Sequence, residues 1–375
     1  MVTLGSQSFD QAWASLFQAV TYGGALPTQP WFEAALGGAN SAYCKAYANG
    51  TAAVAAKQST NIKGTRVYDF WSVLSKDASW TLGRTQPSST PGQQVTSLIQ
   101  YTSRGFGNYS AGFTSFTVRD WHGLSARSNF TYGRALGTGF LNQSNTQRTV
   151  VDAWDLHASY GVQPFDIKFI YNLMMTYQPT FYKGQSGVLG RLLGGWAIAP
   201  IFTAQSGVPI RVTTSSGNAG AFGEIYSGSG RSDQEGAILM GPWTAGNSAH
   251  YNVTVSSGAG RTGNPATGGS GINMFEDPNA VAAQFRRMIL GVDHSAGGSG
   301  QVRGFPTWNL DMTLSKDIHV AERVGAQLSF QFTNILNHFQ PSNPTLNIDS
   351  NASFGVVTGQ ANTSRRMQFG LRIRF

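Results

Sequence analysis

From residue 367 to 375 apolar and polar positions alternate without a miss. Met367, Phe369, Leu371, Ile373 and Phe375 are apolar, while Gln368, Gly370, Arg372 and Arg374 between them are polar or lack a side chain. A period of two is that of a strand whose faces meet different solvents. A half-buried strand of a soluble sandwich gives the same alternation, so the reading depends on whether earlier stretches repeat it.

They do. Phe116 and Val118 lead to His122-Gly123, after which Leu124, Ala126, Ser128, Phe130 and Tyr132 alternate with Ser125, Arg127, Asn129 and Thr131, the pattern of a hairpin with a very short turn. Phe165, Ile167, Phe169, Tyr171, Leu173, Met175 and Tyr177 form an odd apolar series over 165–177, with Ile170 and Met174 breaking the polar face. Trp196, Ile198 and Phe202 share a face in the next stretch, although Pro200 in its middle belongs at an edge or a bulge. Trp308, Leu310, Met312 and Leu314 follow, then Ala326, Leu328, Phe330 and Phe332, then the terminal stretch, for about seven strands in all.

The connections between these strands sort by length. Taken in order they are short at His122-Gly123, long over 137–163, medium over 178–192, very long over 206–306, short over 321–323 and long over 337–364. Short turns on one side and long loops on the other are the habit of transmembrane barrels, and a soluble sandwich has no reason for it. The block 206–306 exceeds the usual loop length and reads as a functional excursion, an inserted domain or disorder.

The first hundred residues read differently. Phe9, Ala12, Trp13, Leu16, Phe17 and Val20 recur at helical spacing after Ser8, a candidate N-cap, and the alanine-rich stretch 42–57 predicts a second helix. The Ser, Thr, Pro and Gln of 78–107, including 87–91, predict a loop. The division is therefore 1–108, helical and irregular, and 109–375, a strand-rich segment with a large insertion at 206–306.

Composition narrows the class. Only 12% of residues are charged, against about a quarter in ordinary soluble domains, and 46 are glycine. No run approaches the roughly 18 apolar residues of a transmembrane helix, whereas a barrel, with every second residue turned to lipid, keeps its average hydropathy near neutral. The net charge of +8 is spread singly, with no basic run beyond Arg286-Arg287 and Arg365-Arg366, so no nucleic-acid partner is expected. Residues 1–5 lack a basic segment followed by an apolar core, so no signal peptide is read in this chain.

Candidate chemistry is sparse. Cys44 is the single cysteine and reads as a small buried hydrophobe. The six histidines, His122, His157, His250, His294, His319 and His338, show no metal-ligand spacing. Gly258-Ala-Gly-Arg-Thr-Gly263 fits G-x-G-x-x-G, but Asn264-Pro265 follows where a helix must begin to hold a pyrophosphate. Glu276 and Asp277 read as solvated loop acids. Asp155 and Asp166 flank the third strand, where a cation site is weighed against a plain surface role. The sequons at Asn129 and Asn252 arise by chance in a chain rich in Asn, Ser and Thr. No residue supports catalysis, so no enzyme and no cofactor are expected.

Several motifs then occur in a set order: Leu193-Gly-Gly-Trp-Ala-Ile, Phe202-Thr-Ala-Gln-Ser-Gly-Val-Pro209, Arg303-Gly-Phe-Pro-Thr-Trp-Asn-Leu310, Phe332-Thr-Asn-Ile-Leu-Asn-His338 and Arg365-Arg-Met-Gln-Phe-Gly370. Over roughly 105–375 the chain resembles the C-terminal third of TonB-dependent outer-membrane receptors, above all the large type with an N-terminal carboxypeptidase-regulatory-like domain.

The resemblance implies an all-β fold: a partial antiparallel transmembrane β-barrel of about seven C-terminal strands, with long extracellular loops that include the partly helical N-terminal region. It implies uptake of an unidentified ligand across the outer membrane. It also implies a non-autonomous fragment, because seven strands do not close and their edges stay unpaired in lipid. The TonB system would be engaged only through an N-terminal part missing here. The other implied partners are outer-membrane lipid and the barrel-assembly machinery, which would read Phe369, Leu371, Ile373 and Phe375. Tyr177, Trp196 and Trp308 stand where interfacial anchors are expected, and Gln327, Gln331, Arg372 and Arg374 would line the lumen. The alternative is a secreted or surface β protein that binds carbohydrate or another cell. In that case Leu310, Leu328, Phe330 and Leu371 would sit in a closed core beneath a second sheet.

Overall fold

The computed structural model describes residues 3–82, 103–138, 157, 160–214, 236–289, 291–293, 301–321 and 324–375. The loop expected at 87–91, together with Asp155, His294 and Arg323, lies outside the described residues.

Among the described residues seven long strands form one antiparallel sheet: β1 (Gly107–Trp121), β2 (Leu124–Gly137), β3 (Phe169–Tyr177), β4 (Trp196–Gln205), β5 (Thr307–Ala321), β6 (Val324–Thr333) and β7 (Arg366–Arg374). Their order across the sheet is their order in the chain, and the short strand Gly161–Val162 adds an eighth member against the end of β2. Among the described residues β1 and β7 are edges, with no partner on their outer sides.

The register explains why alternation along each strand becomes two faces across the sheet. Phe130 pairs with Tyr171, Leu173 with Phe202, Phe202 with Leu310, Met312 with Phe332, Phe330 with Phe369 and Leu328 with Leu371. Cross-strand partners share a face, so apolar positions meet apolar positions through every seam from β2 to β7. The β1–β2 turn places His122 and Gly123 at positive φ, as a two-residue hairpin requires. A Cβ on Gly123 would lie 2.0 Å from the Gln178 carbonyl oxygen, so the following strand also packs on that turn.

Pro200 is accommodated by a local gap. The β3–β4 ladder pairs Met174 with Ile201 and Tyr177 with Ile198 and nothing between, while the β4–β5 ladder continues through Pro200 opposite Met312. The gap spans two residue pairs on the β3 side of the proline and leaves the β5 side paired. Strand β3 starts at Phe169, later than the expected 165, because 165–168 turns the chain and carries Asp166.

Among the described residues five helices precede the sheet: α1 (Phe9–Tyr22), α2 (Pro30–Ala35), α3 (Gly50–Lys57), α4 (Ser59–Lys63) and α5 (Val67–Leu74). At the start of α1 the Gln11 side chain accepts the Ser8 N–H at 3.2 Å. The helix expected over 42–57 begins only at Gly50. The reason is capping: Asn49 Oδ1 accepts the Ala52 N–H at 2.7 Å, and the Glu33 carboxylate accepts the Gly50 and Thr51 N–H groups at 2.8 Å each. Trp13, Leu16, Trp31, Phe32, Val54, Ile62, Phe70 and Leu74 form the buried interior of this unit, and Cys44 is buried with them.

The block 206–306 is neither a loose loop nor a separate body in its described parts. It contains a short helix (Pro278–Ala282) and paired strands such as His250–Tyr251 with Ile272–Asn273. Met274, Phe275, Phe285 and Val302 from this block pack with Leu346, Phe354 and Val357 from the β6–β7 connection in a second buried core. Met288 and Ile289 leave that block to join the helical core.

Candidate functional site

The feature with functional content is the two-faced sheet, together with what closes each of its ends. On one face lie Leu124, Phe130, Tyr132, Phe169, Leu173, Tyr177, Trp196, Ile198, Phe202, Trp308, Leu310, Leu314, Leu328, Phe330 and the odd residues of β7. None of these side chains belongs to either buried core. Phe369 and Leu371 are 64% and 63% exposed, and Phe375 is 98% exposed. Aromatic pairs such as Phe330 with Phe369, edge-on at 5.5 Å, tile the face without covering it.

The closed core required by the surface-protein alternative is therefore not found among the described residues. Leu310, Leu328, Phe330 and Leu371 all stand on the uncovered face.

The opposite face is polar. Asn309, Asp311, Thr313, Ser315 and Asp317 of β5 adjoin Gln327, Ser329 and Gln331 of β6, which adjoin Arg366, Gln368, Arg372 and Arg374 of β7. Arg374 donates to Asp317 Oδ1 at 3.0 Å, reaching over Gly325, which leaves room on the strand between them. Both groups are well exposed, so the pair sets side-chain position more than stability. Tyr109, Phe113, Ile170, Met174 and Ile201 are apolar exceptions on this face, of which the alternation of β3 indicated Ile170 and Met174.

At the end carrying the long connections, an ion pair joins four segments. The Asp166 side chain has no exposed surface; Oδ1 accepts the Ala135 N–H of β2 at 2.6 Å, and Oδ2 accepts Arg303 Nη2. Arg303 Nη1 donates to the Asp166 carbonyl at 3.1 Å and to the Gly207 carbonyl at 3.2 Å. Both readings offered for Asp166, a cation ligand and a plain surface acid, are corrected by this geometry: its oxygens are occupied by an arginine and an amide. The described residues contain no cluster of His, Cys, Asp and Glu suited to a metal ion.

At the same end of the sheet, Asn334 is buried at positive φ; its N–H donates to Asp311 Oδ1 at 2.8 Å, and its Nδ2 donates to the His338 and Thr363 carbonyls at 3.0 Å each. Trp308 stacks on His338 with ring centres 3.9 Å apart. The Arg303, Phe332 and Phe202 motifs of the sequence thus converge on one joint.

The end carrying the short connections is closed by α6 (Gly187–Leu193) and the glycine pair behind it. Strand β5 runs past the start of β4, and its bare backbone there is met by a side chain: Gln185 Nε2 donates to the Asp317 carbonyl at 2.6 Å and Oε1 accepts the His319 N–H at 3.0 Å. Gly195 has φ +74°, and a Cβ on it would lie 2.2 Å from the Asp317 carbonyl oxygen, which explains the Gly-Gly-Trp motif as a close approach.

A family model described as the outer membrane beta barrel domain matches residues 41–368. The chain belongs to that family. The match begins inside the N-terminal helical unit and ends within β7, so the outer membrane barrel domain includes most of both ends as well as the sheet. No curated protein and no solved structure matches the chain. Within the barrel domain, strands β3, β4, β6 and β7 have 9, 10, 10 and 9 residues, against the roughly 9–11 that a tilted strand needs to cross a bilayer. Among the described residues no helix is long and apolar enough to cross a membrane.

The structure places the expected residues as follows. Phe369, Leu371 and Ile373 lie on the apolar face with Tyr177, Trp196 and Trp308, while Gln327, Gln331, Arg372 and Arg374 lie together on the polar face. Tyr177 and Trp196 are at the short-connection end and Trp308 is at the long-connection end. Sequence reasoning missed Gln185, Arg303 as the partner of Asp166, and Lys316. Lys316 had a visible signal, since it occupies a position where the alternation of β5 calls for an apolar residue.

Proposed function

We propose that this barrel domain forms part of the wall of a TonB-dependent outer-membrane transporter that takes up a ligand caught by its extracellular loops. The observation that carries the reading is the register: one uncovered apolar face runs unbroken from β2 to β7, with a polar face behind it. Water disfavours such a face and hydrocarbon accepts it. The long-connection end faces outward and the short-connection end faces the periplasm in this reading. The edges of β1 and β7 need further strands, because unpaired backbone groups in lipid cost several kcal/mol each. The TonB partner and the transport role are supported only by the resemblance of the motifs.

Two measurements test it. Single spin labels at positions 371 and 327, in protein placed in bilayers, should be oxygen-accessible at 371 and accessible to aqueous nickel chelate at 327. The opposite pattern, or water at both, would remove the membrane wall. Disrupting the gene should abolish uptake of one ligand in a panel of iron chelates and oligosaccharides, and collapse of the proton-motive force should reproduce the loss. Uptake insensitive to that collapse would refute TonB dependence.

A further inference from the structure

The medium-length connection between β3 and β4 has a surface that the wall reading leaves unexplained. Helix α6 exposes Val188 at 85%, Leu189 at 62% and Leu192 at 64%. These positions span a single arc of a helix, and the opposite position, Gly190, is buried against Gln185. Just before the helix, Phe181 and Tyr182 are exposed and meet edge-on. In water this would be an unfavourable surface for so short a segment.

Two further observations say what covers it. The first is continuity. Lys316 stands on the apolar face of β5, yet its ammonium group is buried; it donates to the Leu192 carbonyl at 2.9 Å and the Gly194 carbonyl at 2.8 Å, and sits 4.6 Å from the Trp196 ring centre. The lysine thus ties the C-terminal end of α6 to the rim of the apolar face and removes its own charge from that face. The helix and the sheet present one connected apolar surface.

The second is charge. Residues 178–195 contain Lys183 and Arg191 and no acidic residue. Exposed apolar side chains next to cations alone are complementary to a phospholipid surface, whose acyl chains begin directly beneath its phosphates.

We infer that the β3–β4 connection is a membrane foot: α6 lies in the headgroup layer on the short-connection side, with Val188, Leu189 and Leu192 toward the acyl chains and Lys183 and Arg191 toward lipid phosphates. This rests on the wall reading of the sheet. The pinning contacts of Gln185 and Lys316 hold the foot at a fixed height relative to β5.

The test is a spin label at position 189 (Leu189→Cys), with a second at 188 (Val188→Cys), in the full chain carrying Cys44→Ala. The protein is placed in vesicles of phosphatidylcholine and phosphatidylglycerol, and labels at 371 and 327 serve as references. Both side chains are exposed, so neither label disturbs a core. The foot requires oxygen collision to exceed nickel-chelate collision severalfold at 188 and 189, at a depth just below the phosphates and shallower than 371. Labels at 188 and 189 that behave like 327 while 371 reads as lipid overturn the foot and leave the wall intact. Aqueous readings at 371 as well overturn both.

Discussion

At Asp166 a carboxylate with no exposed surface is satisfied by an arginine and a backbone amide drawn from other strands. A buried charge left alone is far more costly than the pair is favourable. Arg303→Met should therefore destabilise the barrel domain by about 3–5 kcal/mol, and Asp166→Asn combined with Arg303→Met should recover much of that loss, in denaturant melts of the folded protein. Equal losses in the single and double variants would show that the pair has no such role. Asp166 was visible in the sequence as an acid beside a strand, but its partner was not, because the two are 137 residues apart. Gly195 and Gln185 were opaque for the same reason: each answers to the backbone of β5, more than a hundred residues downstream.

The strands were far more legible. Each carries its own alternation, which depends on local sequence only, so seven segments and their apolar faces could be read before any pairing was known. What failed were boundaries that a distant group imposes. The capping of α3 by Asn49 and Glu33 cut a sixteen-residue alanine-rich expectation to the 8 residues of Gly50–Lys57, and the Asp166 joint took the first residues expected for β3. Because neighbours on a strand face different media, the wall reading makes a sharp contrast. Phe330→Arg should cost about 2–4 kcal/mol in bilayer folding titrations if it lies near the membrane centre, and Gln331→Arg, one residue away on the polar face, should be nearly neutral. Equal penalties at the two positions would mean that the faces are not differently solvated.

Over the whole molecule, the two largest connections and the N-terminal helices form a packed body at one end of the sheet. Arg287, in the β4–β5 connection, donates to the Gly64 carbonyl at 3.0 Å and to Asp349 Oδ1 at 2.6 Å, so one side chain bridges three distant stretches. Hydrogen bonds from a charged donor contribute about 1.5–3 kcal/mol. Arg287→Ala should raise amide exchange around residues 62–65 by about tenfold or more while leaving the sheet protected, as measured by hydrogen–deuterium exchange of the full chain. Unchanged exchange there would show that Met288 and Ile289 hold the helical unit without it. None of this packing was legible, since it joins segments with no common periodicity.

The chain-order topology of the sheet has a consequence for how the outer body can vary. Closing a flexible connection costs free energy that grows only with the logarithm of its length, so the span 206–306 costs about 1 kcal/mol more than one of thirty residues. Sheet neighbours pair whatever the length of chain between them. Insertions and deletions in that body are therefore nearly free for the wall, and its shape can diverge while β4 and β5 keep the same register.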